Sequence, residues 1–440
     1  MSDQHWGTET EKAVENFPVS GATIPVPVVR MLGQVKAAAA RANMAVGELD
    51  SDLGEKIASA ADAVAAGDYD DQFPVDVFQT GSGTSSNMNA NEVIADLAGG
   101  DAHPNDHVNM GQSSNDVFPS SVHLAALGEA VNALLPALDS LAEALAKRAD
   151  DFADEVKTGR THLMDAVPVT LGQEFSGYAA QVRLGADRVR GTLERVGQIP
   201  LGGTATGTGI NTHPEFAAKA REALREATGL EQISGPADPF EAQGNRDALV
   251  ELSGALKVVA VSLTKIANDI ALMNGGPRCG FAEIQLPELQ KGSSIMPGKV
   301  NPVICETVLQ VGCQVIGNDA AITMAGSQGQ FELNVRVPLI ARNLLDSIRI
   351  LASSSRLFED KVVRDLTANS EQLREHAENT LATATALNPY IGYDKATEIV
   401  KDAASSGRPI REVARDHGVE EDTLDEALDL VGMAKPHAGR

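Results

Sequence analysis

Apolar residues recur along this chain at threes, fours and sevens rather than at twos, the spacing that lines one face of an α-helix. Between Ser120 and Ala149 the series Leu124, Leu127, Leu134, Leu138, Leu141 and Leu145 predicts one long helix, with Pro136 inside it as a point of bending. The same period runs over about 170–197, 241–274 and 302–353. Four or five helices of about 30 residues, each roughly 45 Å long, predict an elongated antiparallel bundle. Residues 1–115 mix shorter helical patterns with Gly- and Asn-rich stretches, and from 370 the pattern breaks into short helices around Asn388-Pro-Tyr-Ile-Gly and Ser406-Gly-Arg-Pro. The expected architecture is all-α in three parts: 1–115, a central long-helix bundle over 116–369, and a small helical domain over 370–440. A chain of 440 residues is long enough for such subdivision.

Composition agrees and narrows the partners. Aromatics are 4% of residues while Ala, Leu and Val abound, which suits close-packed helices. The net charge of -25 and pI of about 4.7 repel phosphate backbones and anionic membrane surfaces, so neither nucleic acid nor membrane is expected as a partner. Residues 409–424 have the length of a helix-turn-helix, but Glu420, Glu421 and Asp422 fall where a recognition helix would meet phosphates. No run approaches 18 uninterrupted apolar residues and the first 17 residues lack an apolar signal core, so a soluble, cytoplasmic protein is expected. Cys279, Cys305 and Cys313 form neither a CxxC pair nor an even set, which argues against disulfides and a zinc site. Arg exceeds Lys by 22 to 14 and acids are spread along the chain. That pattern fits an acidic proteome working in concentrated salt, for which stability rising with KCl would be the mark.

Four polar runs stand out as candidate chemistry. Gly292–Pro302 (GSSIMPGKVNP) packs hydroxyls, one cation and one amide between glycines and prolines just ahead of a helix, so Lys299 and Asn301 make a ready anion site. It is not a P-loop, because Val300 follows the lysine. An ordinary surface loop is the plain alternative. In Gly159-Arg-Thr-His-Leu-Met-Asp, His162 is either a satisfied structural residue or, with Thr161 and flanking helices, an end-of-helix donor. The runs Gly81–Asn87 and Gln112–Asp116 offer hydroxyl and amide donors without a cation, suited both to holding carboxylates and to capping helices.

Together these runs resemble the fumarase/aspartase superfamily, and within it the class II fumarases. The resemblance extends from Phe78-Gln-Thr-Gly-Ser-Gly-Thr through Leu201-Gly-Gly-Thr-Ala-Thr-Gly-Thr-Gly-Ile-Asn211 to Leu387-Asn-Pro-Tyr-Ile-Gly-Tyr-Asp-Lys395. GSSIMPGKVNP is the superfamily signature. Thr161-His162, where aspartate ammonia-lyases usually have Gln in place of His, together with Ser-Ser-Asn-Asp at 113–116 and Phe-Glu-Leu-Asn at 331–334, favours fumarase; aspartate ammonia-lyase is the alternative.

The resemblance implies a three-domain helical fold and reversible hydration of fumarate to L-malate through an aci-carboxylate, with no metal or organic cofactor. It implies Ser293 as general base, His162 with Glu306 at the water, and a dicarboxylate held by Ser82, Thr84, Ser113, Ser114, Asn115, Thr161, Lys299 and Asn301. A secondary anion site would involve His103, Asn105 and Asp106. Here Gly99-Gly-Asp-Ala replaces the family's usual basic residue before His103, and Met110 stands where a lysine is usual. The motifs near 114 and 162, and those near 162 and 203, are each separated by one long helical pass, so antiparallel copies can gather what one chain can hardly gather. The family's homotetramer, with sites shared by three subunits, agrees.

Overall fold

The computed structural model describes residues 4–435, and helices dominate it. By Cα proximity the chain falls into two compact units. One comprises 1–137, 185–261 and 311–353; the other comprises 138–184, 262–310 and 354–440.

In the first unit, helices Val26–Ala45 and Ser51–Ala66 pack against each other. The Asp50 side chain caps the second helix by accepting N–H from Asp52 and Leu53, and Gly67 ends it in the left-handed conformation. Ala37 to Ala40 are all buried, and a Cβ on Gly33 would come within 2.6 Å of the Ala65 nitrogen. Small side chains are what let these two backbones approach so closely.

The helix predicted over 120–149 starts earlier, at Ser114, and continues to Asp151. It passes through a π-helical turn at Ala130–Leu134, just before Pro136. Proline has no N–H to return to Asn132, and the wider turn absorbs that gap. Every residue from Asp116 to Gly128 is buried, the mark of a helix surrounded by protein. By length and hydropathy it is the one helix among the described residues that could cross a membrane, and 67% of its most apolar window is covered inside the fold. Polar residues such as His123, Glu129, Asn132 and Asp139 interrupt its apolar positions, so no stretch of 18 uninterrupted apolar residues occurs in it.

Other long helices are Leu171–Arg190, Asp247–Met273, Val303–Gly326 and Val337–Phe358. The continuous period expected over 302–353 is thus broken at 327–336, where Asn334 turns the chain. Its buried amide donates to the carbonyls of Ala325 (3.0 Å) and Gly326 (3.4 Å), and its oxygen accepts from the Arg336 N–H (2.8 Å). The all-α expectation has two small exceptions, the antiparallel pairs Val156–Thr161 with Met164–Thr170 and Ile284–Gln285 with Thr367–Ala368.

In the second unit, the C-terminal segment carries a small core of its own, built from Leu387, Ile399, Ile410, Val413, Ala414 and Leu424. The two seven-residue helices at Ile410–Asp416 and Glu421–Ala427 have the helix-turn-helix spacing, but Arg411 and Arg415 are both paired with Glu421. The basic groups are therefore held by the acidic residues that would have to face phosphates.

Candidate active site

The 81–87 and 112–116 runs meet in the first unit. Gly83, at φ 79°, precedes the helix Thr84–Ala98, and a Cβ there would come within 2.1 Å of the Phe118 ring. A Cβ on Gly81 would lie 1.9 Å from the Val335 carbonyl oxygen, so both glycines are required by close packing. The buried Ser82 hydroxyl lies 2.8 Å from that of Thr84.

Ser113 caps the Ser114–Glu129 helix in a capping box with Asp116, its hydroxyl accepting from the Asn115 N–H at 3.2 Å. Asp116, fully buried, takes N–H from Ser113 at 2.9 Å, Gly202 at 2.9 Å and Thr204 at 3.0 Å. Asn115 donates to the Ala205 carbonyl at 3.0 Å. One carboxylate thereby fastens the glycine-rich 201–211 turn to the mouth of the helix. Burial pushes the Asp116 carboxyl up to about 6, against those backbone donors and the charge of Lys36.

The hairpin and the 292–301 loop belong to the second unit. His162 (φ 57°) and Leu163 (φ 61°) form a two-residue turn between paired Thr161 and Met164, so His162 stands exposed at a hairpin tip rather than at the end of a helix. Two left-handed residues in succession match the twist of a tight hairpin, and each non-glycine there is strained by roughly 1–2 kcal/mol. Next to the tip the hairpin is anchored by Arg160 on buried Glu283 (2.6 Å), with Arg160 also lying 4.2 Å from the Phe281 ring centre.

In the signature loop, Ser293 Oγ accepts two backbone N–H groups, from Ile295 at 3.2 Å and Met296 at 3.0 Å. The loop closes on itself: the Gly292 N–H donates to the Lys299 carbonyl (3.0 Å) and the Asn301 amide donates to the Gly292 carbonyl (2.8 Å). A Cβ on Gly292 would lie 2.1 Å from that Lys299 oxygen. Lys299 is exposed, as is Glu306 in the first turn of Val303–Gly326. Among the described residues no hydrogen bond joins His162 to Ser293 or Glu306.

His103 caps the turn Pro104–Val108, its Nδ1 accepting the Asp106 N–H at 3.1 Å; Asn105 is exposed beside it. The Met110 carbonyl oxygen accepts from Asn43 at 3.0 Å and from Gln112 at 3.2 Å. No group of three or more His, Cys, Asp or Glu is placed to hold a metal among the described residues.

A family model described as Lyase matches residues 1–317, and one described as Fumarase C C-terminus matches 384–435. The class II fumarate hydratase of Corynebacterium efficiens is 54% identical over 438 residues, covering 98% of this chain and 93% of that relative. The chain belongs to the class II fumarate hydratases. The Mycobacterium tuberculosis member of that family is 53% identical, with 98% and 92% coverage. The crystal structure of class II fumarase from Schistosoma mansoni superposes with a TM-score of 0.96 at 38% identity, covering 99% of this chain and 97% of that one. A fumarate lyase:delta crystallin from Brucella melitensis bound to cobalt gives 0.95 at 44% identity, with the same coverage. The helical class II fumarate hydratase fold is thus shared along nearly the whole chain.

Reading this fumarate hydratase by its polar runs alone misses one group. Lys36, in the middle of the alanine-rich helix Val26–Ala45, is fully buried and donates to Asn109 Oδ1 at 2.8 Å and Gln112 Oε1 at 3.0 Å. Burial pushes its ammonium down to about 7, against the attraction of Asp116. Asn87, also buried, links the cluster to Ser114. The one sequence signal was a charged residue beside four consecutive alanines, a position that reads equally well as a solvated face.

Proposed function

We propose that the chain catalyses the reversible addition of water to fumarate, giving L-malate, by anti elimination and addition through an aci-carboxylate. Its membership of the class II fumarate hydratases supports the reaction. The observation that carries the assignment of roles is the Ser293 oxygen receiving two backbone N–H groups. An unassisted alcohol is far too weak a base to take a proton from carbon, and preorganised amide donors aimed at its oxygen stabilise the alkoxide that can.

In the dehydration direction, Ser293 Oγ takes the proton from C3 of malate and the C3–H pair moves into the adjacent carboxylate. Lys299 and Asn301 face the charge that grows there, which is where binding accelerates the step. The C2–O bond then breaks, and the departing hydroxyl leaves as water by taking a proton at His162, paired with Glu306. Ser82, Thr84, Ser113, Ser114, Asn115 and Thr161 hold the two carboxylates by neutral donors. That choice suits a protein whose net charge of -25 gives dicarboxylates no general attraction.

The proposed groups divide between the two units: Ser82, Thr84 and 113–115 in one, Thr161, His162, Ser293, Lys299, Asn301 and Glu306 in the other. A homotetramer whose sites are assembled from several copies is supported by the exposed apolar residues Leu184, Val261, Leu272, Ile316 and Met324 on the long helices. The free Cys279, Cys305 and Cys313 fit a reducing cytoplasm. The boundaries 115/116 and 369/370 are the proposed divisions of the three-domain fold, the last supported by the separate C-terminal core.

An ultraviolet assay of fumarate formation tests the reaction. Malate is expected to yield fumarate and aspartate none; release from aspartate alone would make the chain an ammonia-lyase and sink the assignment.

A further inference from the structure

We infer that Lys36 sets the direction of the hydrogen bonds leading to Ser114, and so keeps the Ser114 proton free for a substrate carboxylate. An ammonium has three donors and no acceptor. Both protonation states of the amine keep at least two N–H donors, and the Asn109 and Gln112 atoms that face Lys36 Nζ at 2.8 and 3.0 Å are carbonyl oxygens. Their amide nitrogens turn the other way, Asn109 toward the Gln112 carbonyl at 3.1 Å and Gln112 toward the carbonyls of Val108 at 3.1 Å and Met110 at 3.2 Å.

Asn109 Oδ1 also faces Asn87 at 3.2 Å, which forces the nitrogen end of Asn87 toward it. That same nitrogen lies 3.0 Å from Ser114 Oγ. Ser114 consequently accepts, and its own hydrogen points away from the cluster. The cluster keeps this direction although it leaves Asn87 Oδ1 buried without a hydrogen-bond partner among the described residues. If the Asn87 amide turned over, its oxygen would oppose that of Asn109, and Ser114 would spend its proton on Asn87. Lys36 is thus a positioning residue that acts on the site through two amides, without touching substrate. The inference rests on reading Ser114 as a donor to the dicarboxylate in fumarate hydration.

The test is a double-variant cycle in the full-length enzyme, following kcat and KM for fumarate with Lys36→Met, Ser114→Ala and the pair. Each single change is expected to lower kcat/KM by about tenfold or more, mostly through KM, the usual scale for a hydrogen bond to a charged ligand. The pair is expected to be no more than about threefold worse than the poorer single variant, because a hydroxyl already turned inward has little left to lose. Losses that multiply in the pair, or a folded Lys36→Met enzyme with unchanged kcat/KM, would overturn the role. Should Lys36→Met fail to fold, Asn87→Asp sets an acceptor against Ser114 without changing its size. A tenfold loss supports the inference, and full activity overturns it. An unaltered enzyme inactive on fumarate would overturn the functional reading and this inference together; an active one with multiplicative losses overturns only the part given to Lys36.

Discussion

The two sets of proposed site groups are built in opposite ways. Around Ser113 and Ser114 the polar atoms are buried and committed: Asp116 holds three backbone N–H groups, Lys36 holds two amide oxygens, and Gly81 and Gly83 lie where any side chain would collide. Around Ser293 and His162 the groups are half-buried or exposed, Ser293 and Asn301 half-buried on a loop that bonds mainly to itself and His162 exposed on a hairpin tip with two strained residues. In the proposed roles, the buried set would hold a carboxylate with little reorganisation, whereas the second set is the more open to solvent. Exposed groups of this kind reach full strength as acid or base only once water is excluded from them. Under the proposed function, binding geometry belongs to the packed set, and the more open set is the one that neighbouring copies would cover.

The sharpest way to break this comparison is at Ser293. Its replacement by alanine is expected to lower kcat for fumarate hydration and malate dehydration by ~100-fold or more, the scale for a positioned general base. An undiminished rate in the purified variant would remove the base from the loop.

The second effect concerns the covering neighbours. Ser293→Ala and His162→Asn enzymes, each nearly inactive, are expected to regain part of the activity when unfolded together and refolded as mixed oligomers, because some shared sites then carry both intact groups. No recovery in assemblies shown to be mixed would place each site within one copy.

The smallest effect, in stability, belongs to the buried half. Lys36 has a folded value near 7 against 10.5 for an ordinary lysine, so between those pH values the unfolded chain binds more protons than the folded one. Stability is therefore expected to rise with pH across that window relative to Lys36→Met, by at most ~1.4 kcal/mol per pH unit. Asp116, raised from 3.8 to about 6, has the opposite sign: its contribution falls as pH increases from 4 to 6. Denaturant midpoints for both enzymes at pH 7 and 9.5 check the lysine, and coincident slopes would contradict it.

Hydrophobic period and turn residues determined much of this protein by themselves. The leucine series announced the long helices, glycine and proline marked the 292–302 loop, and the GSSIMPGKVNP run pointed to the chemistry through its family. The hairpin was hidden because Gly159 and Pro168 interrupt its strands and His162-Leu163 lacks the Asn-Gly signal of a tight turn. Asn334 likewise ended a helix that the apolar spacing alone would have continued.

Tertiary structure alone decided the fate of the polar atoms. A lysine among alanines reads as a solvated residue, and only the arrival of Asn109 and Gln112, more than 70 positions away, makes its burial tolerable. Periodicity is a local property of a chain and can be read along it. The partner of a buried charge is set by which distant segments pack together, and no local pattern carries that information.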